Sequence, residues 1–263
     1  MTAMRFDPFE FSVRWHAHTG EDLPEPLTIV TDFDSYDEFR RERDRVLDAV
    51  AAESDPDQAA VFAALTDADM AVVVVGFQTE SADTPARSVR AYGVRSGGRS
   101  LIATQQPGKT VRDAAAFTVT EHDSNRWAAS LIAALPQTAA GRRGPVSLPD
   151  PDAGVDGLDY SYGRSSFRDD DRDDIMSAAL LAAPVIASGA IEIRQMRSVF
   201  GPSGRARRRI TWCDVANDGR YAILARPPYT AKPADPEILT ALLSEEIEEI
   251  QLAIDDDRRS VPG

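Results

Sequence analysis

The chain has 263 residues, 43% of them hydrophobic, with a formal net charge of −14 at pH 7 and a pI near 4.7. This length and composition suffice for a sizeable globular core, and the negative field argues against nucleic acid as a partner because it repels phosphate backbones. Cys213 is the single cysteine, which excludes a disulfide framework and a thiolate zinc site and fits a reducing compartment.

No targeting or membrane segment is visible. The first residues lack the charged and apolar regions of a secretory signal. The longest apolar run, "MAVVVVGF" at 70–77, is far shorter than a membrane-spanning helix. We therefore expect a cytoplasmic protein without membrane insertion.

The first half of the chain is predicted to alternate helices with strands. Residues 9–20 are expected to be extended or weakly helical, and apolar residues at helical spacing then favour two helices, the first capped by Asp34 or Ser35. Apolar runs, a Gly-containing hairpin turn and a stop at Pro136 predict the rest. The predicted helices cover 34–53, 55–66 and 123–136, and the predicted strands cover 70–77, 88–95, 99–106 and 114–120.

A segment rich in Gly, Pro and Asp, residues 137–174, is the best candidate boundary between two halves. We place an N-terminal α+β half at 1–150 and a C-terminal α+β half at 151–263. In the second half, helices are predicted at 173–188 and 235–254, with strands at 190–196, 209–215 and 220–226.

The ends of the two halves match at an offset of 112 residues. "FTVTEHDSNRWAASLIAAL" from Phe117 and "YTAKPADPEILTALLSEEI" from Tyr229 share an aromatic residue, a threonine, an aspartate five residues later and an apolar helix. Asp123 and Asp235 suit N-caps, and Pro236 suits the first helical position. We interpret this as a duplication: two α+β halves whose meanders join in one antiparallel sheet, the first with an additional strand. The alternative is a chance match of a common strand–Asp–helix junction.

Metal and cofactor sites are not expected. His16 and His18 would point the same way on a strand, but no third ligand lies near them, so a solvated polar edge is the better interpretation. His122 adjoins a predicted helix start. The acidic run 169–174 lacks the central glycine and terminal glutamate of a calcium loop, and its carboxylates suit the positive end of a helix.

Phosphate, nucleic-acid and catalytic motifs are also lacking. Glycines at 96–98 and 141–145 have no phosphate-loop lysine, and the basic run 205–209 is better explained by pairing with the acidic terminal helix or by solvation. Cys213 shares a predicted strand face with Thr211 and Val215 and has no neighbouring histidine, so we expect a buried thiol. No Gly-x-Ser-x-Gly elbow occurs. The chain is therefore not expected to be an enzyme.

Several landmarks follow one another along the chain: "LPEPLTIV", "WAASLIAALPQTAAGRRGPVSLP", "SGAIEIRQM", "GPSGRARRR", "TWCDVANDGRY" and "PADPEI". Their order and spacing resemble those of the EspG family of ESX (type VII) secretion-associated proteins of actinobacteria. The resemblance covers about residues 10–254.

This resemblance implies a fold and a function. The fold is α+β, a pseudo-twofold pair of halves sharing an antiparallel β-sheet flanked by helical bundles, which agrees with the repeat. The function is that of a cytoplasmic chaperone. It binds a PE–PPE heterodimer, or another ESX-associated substrate protein, by an exposed hydrophobic tip, keeps it soluble and directs it to the secretion machinery.

A surface that covers an apolar tip needs apolar groups with a polar rim. Alternation in residues 190–196 places Ile191 and Ile193 towards the core. We expect partner contacts at Arg194, Met196, Val199 and Phe200. Trp212 is a further candidate for such a contact, but packing beneath a helical bundle is the favoured interpretation for it.

Two other functional classes stay open. An enzyme without a recognisable motif would need convergent polar groups in a closed pocket. A homo-oligomeric structural or regulatory module would use its exposed sheet on itself. The sequence does not decide between a monomer and a dimer.

Overall fold

The computed structural model describes residues 3–52, 56–79, 88–150 and 168–260. Its helices are α1 (Pro8–Thr19), α2 (Tyr36–Ala52), α3 (Pro56–Thr66), α4 (Trp127–Ile132), α5 (Arg168–Leu181) and α6 (Pro236–Arg259). Its strands are β1 (Ala3–Phe6), β2 (Met70–Gln78), β3 (Ser88–Ser96), β4 (Arg99–Pro107), β5 (Ala114–His122), β6 (Val146–Ser147), β7 (Val185–Gln195), β8 (Arg207–Val215), β9 (Gly219–Leu224) and β10 (Thr230–Pro233).

All the strands join in one antiparallel sheet with the order β1-β5-β4-β3-β2-β7-β8-β9-β10-β6. The order reads outwards from the central β2–β7 pair in the same way on both sides. Each half contributes a four-stranded meander followed by a helix, α4 or α6. The predicted α+β fold with two related halves sharing a sheet is confirmed.

The prediction of an additional strand in the first half was wrong, because β10 was missed. β10 is only four residues long and ends at Pro233, so it has little alternation to recognise. It nevertheless corresponds to β5 in the repeat. β6 precedes residue 150 yet pairs with β10 at the far end of the second half, and the division of the chain at residue 150 stays a prediction.

Helices cover the two faces of the sheet differently. α4 and α6 lie together on one face, where Trp127, Leu131, Leu239 and Leu243 share a core with β2, β7 and β8. On the opposite face, α1 and α3 cover the first half, and α5 adds Leu180 to a smaller cluster on the second. On this same face as α1, α3 and α5, the end of β7 and the start of β8 carry charged side chains that are at least partly exposed. These side chains, which we call the charged region, are Glu192, Arg194, Arg207 and Arg209.

The opening segment is a regular helix, α1, and not an extended or weakly helical stretch. Asp7 caps it by accepting hydrogen bonds from the amides of Phe9 (2.9 Å) and Glu10 (3.2 Å). Gly20, at φ 72°, ends it with its amide bonded to the His16 carbonyl. These caps outweigh the low helix propensity of the aromatic and β-branched residues between them.

α2 and α3 lie where they were predicted. Ser35 Oγ accepts a hydrogen bond from the Glu38 amide at 3.2 Å, so Ser35 is the cap of α2. Along α2 only Val46 is buried. Phe39 contributes to a surface cluster of rings with Phe9 and Phe33, whose centroids are 5.0–5.7 Å apart.

The two helices that follow the meanders differ at their starts. Asp235 caps α6 by accepting from the Ile238 amide at 2.8 Å, with Pro236 in the first turn, as predicted. Asp123 does not cap α4. Its carbonyl accepts the Arg126 amide in a turn, and α4 begins only at Trp127. The repeat therefore conserves the position of the aspartate but not its capping role.

The helix predicted at 173–188 ends earlier, at Leu181. Val185 begins β7, the long central strand. Pro184 cannot continue a helix, and the residues "VIAS" after it favour a strand. Apolar content alone was a misleading guide here because it does not distinguish a buried helix from a buried strand.

An ion pair joins the connector after α4 to the second meander. Arg220, fully buried, donates from Nε to Asp214 Oδ1 at 2.6 Å and from an Nη atom to the Pro136 carbonyl at 2.9 Å. Thr138 Oγ1 donates to Asp214 Oδ2 at 2.8 Å. The tryptophan-to-tyrosine motif at 212–221 therefore fixes the path of residues 136–141.

Two glycines make room for Trp212 across the centre of the sheet. Gly76, Gly189 and Trp212 are register partners on β2, β7 and β8. A Cβ atom on Gly189 would lie 2.7 Å from Trp212 Cζ2 and would overlap the Val75 carbonyl oxygen.

We expect Gly189→Ala to lower the free energy of unfolding by about 2 kcal/mol, because an added methyl group overpacks this contact. Urea unfolding measures the loss. Gly144→Ala is the matched control, since a Cβ atom there meets nothing within 4 Å. Equal stability of the two variants would contradict the packing described here.

Candidate functional site

The loop between β7 and β8 presents two large apolar side chains to solvent. Val199 is 53% exposed and Phe200 is 67% exposed. Exposure of adjacent large apolar residues costs hydration free energy and is a feature of interaction sites. Both residues were predicted from the sequence to contact a partner.

The loop is held in place by Asp257 near the end of α6. Asp257 Oδ1 accepts from Ser198 Oγ at 3.1 Å, and Asp257 Oδ2 accepts from the Val199 amide at 3.0 Å. Ser198 Oγ in turn accepts from the Phe200 amide at 3.1 Å. The backbone that carries the two apolar side chains is therefore anchored to the helix.

Buried Gln195 closes the base of the same loop. Its Nε2 donates to Asp257 Oδ2 at 3.1 Å, and its Oε1 accepts from the Ala206 amide at 3.0 Å. Gln195 therefore joins both ends of the loop to α6. Sequence reasoning missed Gln195 and Asp257, and a polar residue at an inward strand position was the only signal for the first of them.

The other predicted contact residues lie elsewhere on the sheet. Ile191 and Ile193 are fully buried, which puts Arg194 and Met196 on the opposite face. Arg194 Nε donates to Glu192 Oε1 at 2.8 Å, and Met196 packs against the α1–α3 core. Arg194 is thus on the partly exposed charged region, and Met196 is at its boundary with the first half.

Trp212 lies inside the protein, on the face covered by α6. It is 2% exposed, and the Arg220 guanidinium stacks 4.6 Å from the ring centre. Its indole nitrogen has no hydrogen-bond acceptor among the residues that the structure describes. The structure thus places Trp212 on the opposite face of the sheet from Arg194 and Met196, while Val199 and Phe200 lie in the loop that is anchored to α6.

Glu192 is the carboxylate of the charged region on β7. The hydrogen bond from Arg194 lowers the pKa of its carboxyl group, and the charges of Arg194, Arg207 and Arg209 act in the same direction, against partial burial, which raises the pKa. A folded-state pKa below the unfolded one stabilises the fold above the unfolded value and loses this contribution as the pH falls through the folded value.

We therefore expect Glu192→Gln to lower the free energy of unfolding at pH 7 by about 1 kcal/mol or less, since the pair is partly solvated. The difference from the unmodified chain should shrink and then disappear as the pH falls through the lowered folded-state pKa of Glu192. Urea unfolding at several pH values measures it, and a difference that persists in acid would contradict the assignment.

The residues considered from the sequence as metal ligands do not form a metal site among the described residues. His16 and His18 lie on helix α1, so the prediction that they share one face of a strand does not apply. His18 Nδ1 is 2.8 Å from the Arg14 carbonyl oxygen. No group of three His, Cys, Asp or Glu side chains suited to a metal occurs among the described residues. The acidic run 169–174 falls in the first turns of α5, but its side chains lie outside the described residues.

His122 and Cys213 have local roles. Thr120 Oγ1 lies 2.7 Å from His122 Nε2, and Ser130 Oγ lies 3.0 Å from Nδ1. Burial and the nearby Arg126 lower the pKa of His122. Burial and then Asp214 raise the pKa of the Cys213 thiol, the direction that keeps it protonated.

No described helix of the chain is both long and apolar enough to cross a membrane.

Comparisons with known proteins agree with this architecture. The model of the EspG family matches residues 7–245. No curated protein matches the chain. One similar solved structure is that of the Mycobacterium tuberculosis type VII secretion system chaperone EspG5 in complex with the PE25–PPE41 dimer. It is 18% identical, with a TM-score of 0.56 over 99% of this chain and 97% of that one. Because the family match spans nearly all of both halves, the chain belongs to the EspG family.

Proposed function

We propose that this chain is a chaperone and adaptor of a type VII (ESX) secretion system. It binds a PE–PPE-like substrate by the substrate's exposed hydrophobic tip, keeps that substrate soluble in the cytoplasm and directs it to the secretion machinery. It works by binding alone, without a cofactor and without catalysing a reaction.

The observation that carries the proposal is the anchored apolar pair Val199–Phe200. Family membership supports the functional class, and the EspG5 structure, with its PE25–PPE41 dimer, supports the kind of client. A chaperone for an apolar tip needs apolar groups that stay exposed without the client. Asp257 and Gln195 hold such groups at a fixed position, which lowers the conformational entropy lost on binding.

Co-expression with a PE–PPE pair from the same genome tests the proposal. We expect the tagged chain to copurify with the pair as a complex that elutes as one species in size-exclusion chromatography. Without the chain, the pair should be recovered mainly in the insoluble fraction. If the chain instead elutes as a stable oligomer of itself and retains none of the genome's PE–PPE pairs, the homo-oligomeric alternative replaces the proposed function.

A further inference from the structure

Arginines are concentrated around the loop that carries Val199 and Phe200. Residues 194–209 contain six arginines and no Asp or Glu, although the whole chain has a net charge of −14. A basic segment of this density opposes the field of the rest of the protein. Ion pairs within the chain compensate only some of these six arginines.

Three of these arginines have carboxylate partners close by. Arg194 pairs with Glu192, Arg197 with Asp67, and Arg208 with Glu246 at 3.5 Å on the α6 side of the sheet. These three ion pairs lower the electrostatic free energy of the guanidinium groups that form them. Arg208 points towards α6 and therefore lies on the opposite face of the sheet from Arg207 and Arg209.

The other three arginines are exposed and poorly compensated. Arg207 is 3.5 Å from Glu192, and its side chain is 66% exposed. Arg205 and Arg209 are exposed and make no ion pair within 4 Å with any carboxylate of the described residues. Arg194 also lies 3.4 Å from the exposed Glu25 carboxylate. Among the described residues, Glu192 is the acidic group that Arg207 and Arg209 share with Arg194.

Strand register makes this arrangement unfavourable for the isolated protein. Arg207 lies directly opposite Arg194 in the β7–β8 pair, and Arg209 lies opposite Glu192. Like charges directly opposite each other in a sheet are destabilising. An acidic partner would relieve this repulsion, because its carboxylates would neutralise charges that the chain leaves uncompensated.

We infer that the ends of β7 and β8 and their loop recognise an apolar segment that is flanked by carboxylates. The client's apolar side chains would lie against Val199 and Phe200, while its acidic groups would pair with Arg205, Arg207 and Arg209. This inference rests on the proposed function and specifies the chemistry of the client segment. Arg207 and Arg209 are recognition residues with no role in the core.

A labelled peptide tests this chemistry without knowledge of the client. The probe is a short fluorescein-labelled peptide with one Leu-Phe pair between two Glu-Glu pairs, and the matched peptide has Gln for each Glu. By fluorescence anisotropy, we expect the full chain to bind the acidic peptide about tenfold more tightly than the matched one. The preference should shrink when salt rises from about 0.05 M to about 0.5 M, because exposed charges are screened.

Variants locate the binding. R207Q/R209Q should lose the preference for the acidic peptide, and Glu192→Gln should strengthen it, because Glu192 competes for the same arginines. R40Q/R41Q, two adjacent exposed arginines on α2, should leave it unchanged. The inference is overturned if the acidic peptide does not bind, if the two peptides bind equally, or if R40Q/R41Q acts like R207Q/R209Q.

Failure of this inference can be told apart from failure of the proposed function. If R207Q/R209Q retains a PE–PPE pair with unchanged affinity and salt dependence while the unmodified chain binds that pair, only the inference fails. If the chain retains no PE–PPE pair yet shows the peptide preference, the basic surface stands and the proposed client is wrong.

Discussion

Replacing both Val199 and Phe200 with aspartate is expected to abolish copurification of the client. Each side chain should bury most of its exposed apolar surface on binding, at about 1.5–3 kcal/mol each, and the variant would also force two carboxylates into an apolar contact. A loss of about 4 kcal/mol or more corresponds to at least a thousandfold weaker affinity. Retention of the client on the tagged chain, followed by titration, measures it.

The thermal midpoint should change little, because both side chains are mainly exposed and the loop is held by backbone amides. Repulsion between the new carboxylates and Asp257 is the one risk, and the neutral variant V199S/F200S avoids it. Val30→Asp is the matched control, since Val30 is also 53% exposed but lies in the first half. A folded double variant that binds the client normally would remove the loop from the site.

Arg220→Met is expected to destabilise the fold more than any surface change. It would leave the buried carboxylate of Asp214 and the Pro136 carbonyl without the guanidinium that now binds them. Breaking a buried pair by removing one partner costs about 3–5 kcal/mol. Urea unfolding monitored by tryptophan fluorescence measures the loss, because Trp212 packs against this guanidinium.

Two further variants separate charge from packing. D214N/R220M should be more stable than R220M alone, since it removes the unpaired buried charge. Arg45→Met is the control, because Arg45 forms an exposed pair with Glu42 on α2, and solvent screens such pairs so that they contribute little to stability. If Arg220→Met costs no more than Arg45→Met, the pair does not hold the connector.

The elements that were predicted best from the sequence are those whose secondary structure is determined by their own residues. β2, the β3–β4 hairpin, α3 and α6 have long apolar patterns, and Asp235 has a proline after it that makes the cap recognisable. The short strands β1, β6 and β10 exist because longer neighbours bind them, and two to four residues carry too little alternation to predict this. Asp123 was assigned to a cap because an aspartate followed by Ser and Asn suits an N-cap as well as a turn.

The candidate site divides in the same way. Val199 and Phe200 could be predicted because two large apolar residues among Gly, Pro, Ser and Arg are conspicuous in the sequence. The two side chains that anchor this loop, Gln195 and Asp257, could not be predicted. They are 62 residues apart in the sequence and meet only when α6 lies on the sheet. The burial of Trp212 depends likewise on two glycines from two other strands.

The outermost strands of the sheet have a consequence for how a client can bind. An edge strand offers free backbone groups to which another chain can add as an extra strand. Here the two edges are β1, with four residues, and β6, with two. Such short edges give an aggregation-prone client little template for β-addition. Recognition of a client is then expected to rely on side chains, and addition of a second copy to these short described edge strands is disfavoured.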